Sequence, residues 1–442
     1  MQGRQERWQE DLFVACPLRA LVPEDHILRR VDAVLDLSWI HDAVRDCYCQ
    51  NNGRRSIDPE SALRLMLAGF FEGIVRDREL MRQAQVNLAI RWFAGYRLDQ
   101  KLPDHSSLTV IRQRWGAERF KQFFERTVRA CMDAGLVDGK MVHLDASLIR
   151  ADVSWESLTT EYIEKTIEWN KADEFEPEPA PSEPPRRRGR PRTNPPKKKK
   201  RSTTDPDATM ATSSQKQRLE PSYKQHTAVD DQAGVVVDVA VTTGEVNEGA
   251  QLVEQIERVE ALREVAVETV TADAAYAHGA NYQQLEGRGT DAVIPPQREP
   301  RKPKRIPASR FQYDAKHHVV RCPGGKRLER KGSCESPTGW YYRARAYDCR
   351  ACPLRPRCFG QRANARTIVI VDGYEALLRA RRRWRRKDEG LRNLYGLHRW
   401  RAEGAHAEAK TRLFQQPRCP QQHRPEQHRM AITYIDRLLF EL

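Results

Sequence analysis

Long hydrophobic runs are missing from this 442-residue chain: no stretch approaches the roughly 18 consecutive apolar residues that a membrane-crossing helix requires. The segment Met1-Gln-Gly-Arg-Gln-Glu-Arg7 also lacks the apolar core of a secretory signal, so a cytoplasmic protein is expected. No Walker-type phosphate loop occurs, and nothing points to nucleotide hydrolysis as an energy source. Acid is scarce beside base: 61 Asp and Glu face 76 Lys and Arg, for a net charge of +15. Clustered cations bind polyanions by releasing counterions from phosphates, so nucleic acid is the expected partner and a nucleoid-associated location follows. Hydrophobic residues at 39% are enough to build cores over two or three domains.

A disulfide framework is not indicated either. Half of the ten cysteines fall between 322 and 358, and in a chain without a secretory signal such clustering points to metal. Cys349-x2-Cys352-x5-Cys358, with Cys322 upstream, offers four thiolates near zinc-knuckle spacing, and Cys334, His317 or His318 could replace one. The bland alternative is four reduced thiols in a small core.

What is present divides the chain by pattern. Residues 1–138 carry apolar residues at intervals of three and four over Ile27–Leu35, Asp58–Phe71, Arg78–Phe93 and Ser107–Met132, which predicts an all-helical domain. Asp58 before Pro59 reads as a helix cap followed by proline at the first helical position. From 139 the pattern turns to strands, first Lys140 to Asp145 and, after 220, Tyr223–Val229, Val235–Val241, Val265–Thr271 and Ala292–Pro295, with helical periodicity at 248–263 and 280–287. The fold class expected is α+β, a mixed α/β chain in which a helical domain precedes a mixed sheet with covering helices, occupying 139–172 and 208–296. Between these parts lies 173–207, in which residues 173–201 hold ten Lys or Arg against five Asp or Glu and are rich in proline, so a disordered basic linker is expected. Residues 297–370 read as a cysteine-rich insertion and 371–442 as a helical continuation of the sheet domain.

Two of the acids end strand-like segments, Asp145 and Asp273, and a third, Glu403, lies in a basic helical stretch. They are 128 and 130 residues apart, so only the fold could join them. A carboxylate on a rigid strand suits a metal ligand, and three carboxylates can hold two Mg²⁺ ions about 3.5–4 Å apart to activate water at a phosphodiester. The bland reading of an Asp after a strand is a turn or a helix cap.

The order of motifs resolves much of this. Asp58-Pro-Glu, Arg76-Asp-Arg-Glu-Leu, Asn87-Leu-Ala-Ile-Arg-Trp-Phe-Ala-Gly, Pro103-Asp-His-Ser-Ser, Asp145-Ala-Ser-Leu-Ile-Arg-Ala-Asp, Thr204-Asp-Pro-Asp-Ala, Tyr223-Lys-Gln-His-Thr-Ala-Val-Asp, Ala272-Asp-Ala-Ala-Tyr and Glu403-x6-Lys410 follow one another along the chain. In these the chain resembles the bacterial insertion-sequence DDE transposases, whose catalytic domain has a ribonuclease-H-like fold. The resemblance implies Asp145, Asp273 and Glu403 as ligands of two Mg²⁺ (or Mn²⁺) ions, and Tyr395, Arg399 and Lys410 as phosphate contacts. It further implies hydrolysis at transposon ends, attack of the freed 3′-hydroxyls on target DNA, and at least a homodimer in the synaptic complex. Glu408 competes for the third place but lacks the lysine spacing. Two departures stand out: Ala275 replaces the family's usual glycine before the tyrosine, and the tail after Lys410 lacks the expected Arg-Gly and apolar helical pattern. That tail favours an alternative, a decayed or domesticated DNA-binding protein; a nuclease without strand transfer is a third reading.

Two basic features complete the inventory. Arg188-Gly-Arg190-Pro resembles an AT-hook, in which Arg188 and Arg190 would enter a narrow A·T minor groove; the alternative is a linker gripping any DNA by charge. Ten positive side chains lie between 379 and 401, read either as a grip on the transposon end or as a solvated helix face. His105 is expected to be structural or DNA-positioning.

Overall fold

The computed structural model describes residues 16–49, 56–74, 76–151, 153, 158–162, 198–212, 219–298, 305–335, 337–361, 363–386 and 388–407. Helices α1 (Ile27–Val34), α2 (Ile40–Ala43), α3 (Pro59–Phe71), α4 (Asp77–Val86), α5 (Leu88–Phe93) and α6 (His105–Asp133) come first. Asp58 caps α3 as its position before Pro59 predicts, accepting from the Ser61 amide at 2.9 Å. The single periodic run expected over 78–93 is two helices. Asn87 breaks it because its carboxamide accepts from the Ala89 and Ile90 amides at 2.9 and 3.2 Å, starting α5. The long α6 bends at Gly116, whose φ of 74° lies in the left-handed region. Trp115, Phe120 and Phe123 pack ring to ring at its centre, with centroids 5.7–5.8 Å apart.

The chain then lays down β1 (Met141–Arg150), β2 (Leu158–Tyr162), β3 (Lys198–Ser202), β4 (Thr209–Ala211), β5 (Glu220–Asp230), β6 (Val236–Thr243), β7 (Thr269–Ala272) and β8 (Asp291–Val293). Helix α7 (Leu252–Arg263) connects β6 to β7 and α8 (Gly279–Arg288) connects β7 to β8. The main sheet runs β6-β5-β1-β7-β8, with short β4 also on β5. Pairing is antiparallel through β6, β5 and β1, then parallel through β1, β7 and β8. A three-stranded antiparallel unit extended by two helix-linked parallel strands is the ribonuclease-H-like order, and the fold is of mixed helix and sheet. Its core strands read as near-continuous apolar runs, Val235 to Val237 and Ala228-Val229 among them, because both faces are covered.

One expectation for the basic linker needs correction. Lys198–Ser202 is not irregular: it pairs antiparallel with β2, Thr160 opposite Lys200. Lysine is poorly suited to a sheet interior, but a lone two-stranded ribbon is all edge, where lysine is tolerated and deters further pairing.

The segment expected as an insertion forms its own antiparallel sheet: β9 (Gln312–Asp314), β10 (Val319–Arg321), β11 (Arg327–Glu335), β12 (Thr338–Ala344) and β13 (Thr367–Val371), in sequential order. Between β12 and β13 lie the short α9 (Ala346–Arg350) and α10 (Arg355–Cys358). The chain then returns to the main sheet through α11 (Tyr374–Arg385), α12 (Glu389–His398) and a π-helical turn, Arg399–Glu403. The return passes Gly373 against Gly279, where a Cβ on either residue would overlap the other's backbone; Gly373 also holds φ 69°. Among the described residues no helix is long and apolar enough to cross a membrane.

Candidate active site

The parallel register of β1 and β7 runs from Met141 opposite Thr269 to Leu144 opposite Ala272 and stops there. Asp145 and Asp273 are the next residue on each strand. They therefore emerge side by side at the carboxyl end of the parallel pair, where neighbouring strands are about 4.8 Å apart. Asp145 does not end its strand, as the sequence suggests; β1 continues to Arg150 against β5, with Asp145 opposite Thr227. The continuation exists because β5 still supplies backbone partners after β7 has turned away. Asp273 does begin a turn, and its carboxylate accepts from the Ala275 amide at 2.8 Å. Capping and a site role are thus combined in one residue.

Burial and like charge act together here. Burial raises the Asp145 pKa to about 7, opposed by the Ala146 amide and reinforced by the charges of Asp273, Glu248 and Glu403. Burial also raises Asp273, against hydrogen bonds from the Ala275 and Tyr276 amides. Two carboxylates 4 Å apart at an effective dielectric near 20 repel by about 4 kcal/mol, so such a cluster does not close up without a cation. No group of three or more His, Cys, Asp or Glu among the described residues is placed to hold a metal ion.

Glu403 closes the π-helical turn, and its carboxylate meets the Arg399 guanidinium at 3.4 Å. Single π turns inside helices recur at functional sites, since the extra residue re-aims a side chain. Arg399 is exposed. Tyr395 is half-buried, stacked on His398 at 5.6 Å and edge-on to Trp384 at 5.5 Å, so its ring is packed rather than projecting. Lys410, Glu408, Arg188 and Arg190 lie outside the described residues.

Three neighbours were not legible in the sequence. Glu248, at the start of the 3₁₀ turn before α7, is a fourth carboxylate acting on Asp145 and is paired with Lys224 at 3.2 Å. The His406 ring lies 3.7 Å from the Asp145 carboxylate and 3.0 Å from the Thr227 hydroxyl. Tyr276, fully buried, points a hydroxyl that finds no hydrogen-bond partner among the described residues into the field of Asp145, Glu248 and Asp273, and its pKa is driven well up by burial first and these charges next. Tyr276 does stand in the motif Ala272-Asp-Ala-Ala-Tyr, but its burial among these charges is not legible there, and no motif picks out Glu248 or His406.

The residues fit a hard divalent cation. The donors are all oxygen, they converge as like charges on Asp145, and Lys224 is paired with the neighbouring Glu248. The four cysteines are also near one another: burial raises the Cys358 thiol, with Cys349, Cys322 and Cys352 contributing, and Gly324 sits between the Cys322 and Cys352 sulfurs. Cys334 is apart, donating to the Tyr341 hydroxyl, and His317 is paired with Asp314 at 2.8 Å. The basic stretch divides: Arg379 is bound to Glu286 at 2.6 Å and Arg383 to Asp291 at 2.9 Å, whereas Arg382, Arg385 and Arg386 are exposed. His105 opens α6 beside Asp104 and Arg78.

The strand order defines a class by fold, the ribonuclease-H-like sheet. Comparison with known families narrows this: residues 191–433 match the family described as Transposase DDE domain, and residues 17–114 match Transposase domain (DUF772). The chain belongs to the DDE transposase family. Two solved structures are similar, a Mos1 transposase paired-end complex with left transposon end (12% identity, 55% of this chain and 61% of that one) and a Mos1 mariner paired-end complex with Mn (14%, 56% and 62%), each with a TM-score of 0.17. The chain thus spans less than two thirds of either, and the strand order, not these loose superpositions, carries the fold. No curated protein matches the chain.

Proposed function

We propose that this transposase binds the ends of an insertion sequence, cleaves them at a phosphodiester in the presence of Mg²⁺ or Mn²⁺, and joins the freed 3′-hydroxyls to target DNA. Asp145, Asp273 and Glu403 would hold two ions. Once bound, the ions would activate the attacking oxygen and stabilise the leaving one. The observation that carries the reading is the emergence of Asp145 and Asp273 side by side past the last parallel pair, with Glu403 among the charges that bear on Asp145. The protein's own contribution is rigid placement on strands, exclusion of water around Asp145, and phosphate contacts from Arg399 and Lys410, with Tyr395 stiffening the helix below. Arg188 and Arg190 would extend the grip into an A·T-rich minor groove. The helical domain 1–138 would recognise the ends, and two copies would pair two ends. We read Cys322, Cys349, Cys352 and Cys358 as thiols that would have to draw closer to hold a structural zinc in the insertion, since as they stand no group of three or more His, Cys, Asp or Glu among the described residues is placed to hold a metal ion.

Labelled end DNA incubated with Mg²⁺ and either wild type or Asp145→Asn tests this. Cleavage by wild type alone, with equal DNA binding by both, is expected. Absence of cleavage in both, with binding retained, would leave the DNA-binding reading instead.

A further inference from the structure

His143, Thr271 and His398 stand in a fixed relation to the three proposed ligands. His143 is two residues before Asp145, Thr271 two before Asp273, and the register pairs His143 with Thr271. Side chains two apart on a strand share a face, so this pair lies one repeat beneath the acid pair. All three are buried, and their polar atoms form one chain: Asp231 to His143 Nε2 at 2.9 Å, His143 Nδ1 to Thr271 Oγ1 at 2.6 Å, Thr271 Oγ1 to His398 Nδ1 at 3.0 Å.

The Asp231 carboxylate only accepts, so His143 Nε2 carries a hydrogen. The Thr271 hydroxyl, with one hydrogen to give and an oxygen that accepts, serves the Nδ1 atoms of both histidines at once.

On the far side of Glu403 the same device recurs: His406 Nε2 meets the Thr227 hydroxyl of β5 at 3.0 Å. The π-helical turn carrying Glu403 is thus tied by a histidine to a strand threonine before it, on β7, and after it, on β5; β1 and Asp145 lie between those strands. A π turn has poorer internal hydrogen bonding than the flanking helix, so fixed ends matter more there.

We propose that the two histidine–threonine links form a clasp that positions Glu403 against Asp145 and Asp273, with Thr271 as its central positioning residue. This rests on the reading of those three acids as the metal site. Groups that orient metal ligands at one remove change affinity by about 10–100-fold when lost. Thr271→Val keeps the shape and removes both bonds; Thr271→Ser restores them. His398→Asn retains a donor where Nδ1 stands, and His398→Leu does not.

The test uses full-length protein, with Mn²⁺ affinity read from free Mn²⁺ by electron paramagnetic resonance, histidine tautomers by ¹⁵N NMR, and cleavage kcat and KM for end DNA. Thr271→Val and His398→Leu should lose at least tenfold in Mn²⁺ affinity and in kcat, with KM for DNA unchanged and the His143 tautomer no longer fixed. Thr271→Ser and His398→Asn should lie within about threefold of wild type. Wild-type Mn²⁺ affinity in Thr271→Val, or serine and asparagine variants as impaired as valine and leucine, would overturn the clasp. Asp145→Asn distinguishes the two ideas: if it binds Mn²⁺ like wild type, the metal-site reading fails, while altered tautomers in Thr271→Val would still identify the link.

Discussion

Asp145 concentrates the energetics of the site in one residue. Its pKa near 7, raised mainly by burial, means that the folded chain holds a proton there more tightly than the unfolded chain, in which a carboxyl titrates near 4. For a carboxylate raised on folding, the unfolded state sheds its proton first, so metal-free stability falls as pH rises from about 4 to about 7. Asp145→Asn removes that dependence. Thermal unfolding without divalent ions should find the variant more stable than wild type at pH 8 and nearly equal at pH 4, and a wild type that gains stability over this interval relative to the variant would refute the argument. Cleavage at limiting Mg²⁺ should rise through pH 6 to 8 in wild type as the ligand ionises. Tyr276 makes a related case: a buried hydroxyl without a partner costs about 1–3 kcal/mol. Tyr276→Phe should therefore leave the metal-free protein as stable as wild type or more so, measured by urea unfolding.

At the level of elements, the return of the chain from the insertion turns on two glycines. A Cβ at Gly279, in the first turn of α8, would strike the Asp372 carbonyl and Gly373 backbone; one at Gly287, near the end of the same helix, meets nothing within 4 Å. Gly279→Ala should cost at least ~1–3 kcal/mol through overpacking, whereas Gly287→Ala should gain up to about 1 kcal/mol in helix propensity. Opposite signs in chemical denaturation are the expected result; a shared sign would show that the close approach is relieved cheaply. The periodicities placed α1, α3, α6, the strands of the main sheet and both covering helices nearly where they lie, because each has a strong apolar face. Less legible were the break at Asn87, where a side-chain cap outweighs continuous periodicity, and the continuation of β1 past Asp145, which depends on the partner β5. Asp145 and Asp273 could be picked out because each sits at the end of an apolar run. Glu248 and His406 could not, since their approach depends on crossovers among β6, α7 and the π turn that no local pattern encodes, and Tyr276, though part of a quoted motif, gave no sign of its burial beside the acids.

For the whole molecule, the question is which charges of a +15 chain meet DNA. The stretch 379–401 is not uniformly available. Arg379 and Arg383, one helical turn apart on α11, are held by Glu286 and Asp291 of the main sheet layer, and Arg401 donates to the Gln232 carbonyl at 3.1 Å. Arg382 and Arg385, three apart on the same helix, are exposed and share another face. Trp400, 70% exposed and covered on one side by Arg401 at 4.8 Å, extends the exposed surface beyond Arg399 toward Glu403. If that face tracks the DNA backbone, each phosphate contact contributes about 0.9 to the slope of log affinity against log salt. Arg382→Ala with Arg385→Ala should then lower the slope by roughly 2 and leave the unfolding temperature unchanged. Arg383→Ala should do the reverse, destabilising the fold by loosening α11 from β8 while the slope stays near that of wild type. Fluorescence anisotropy of end DNA over a salt series, run beside thermal unfolding, separates the two classes. An unchanged slope in the Arg382/Arg385 double variant would move the DNA to another face of the protein.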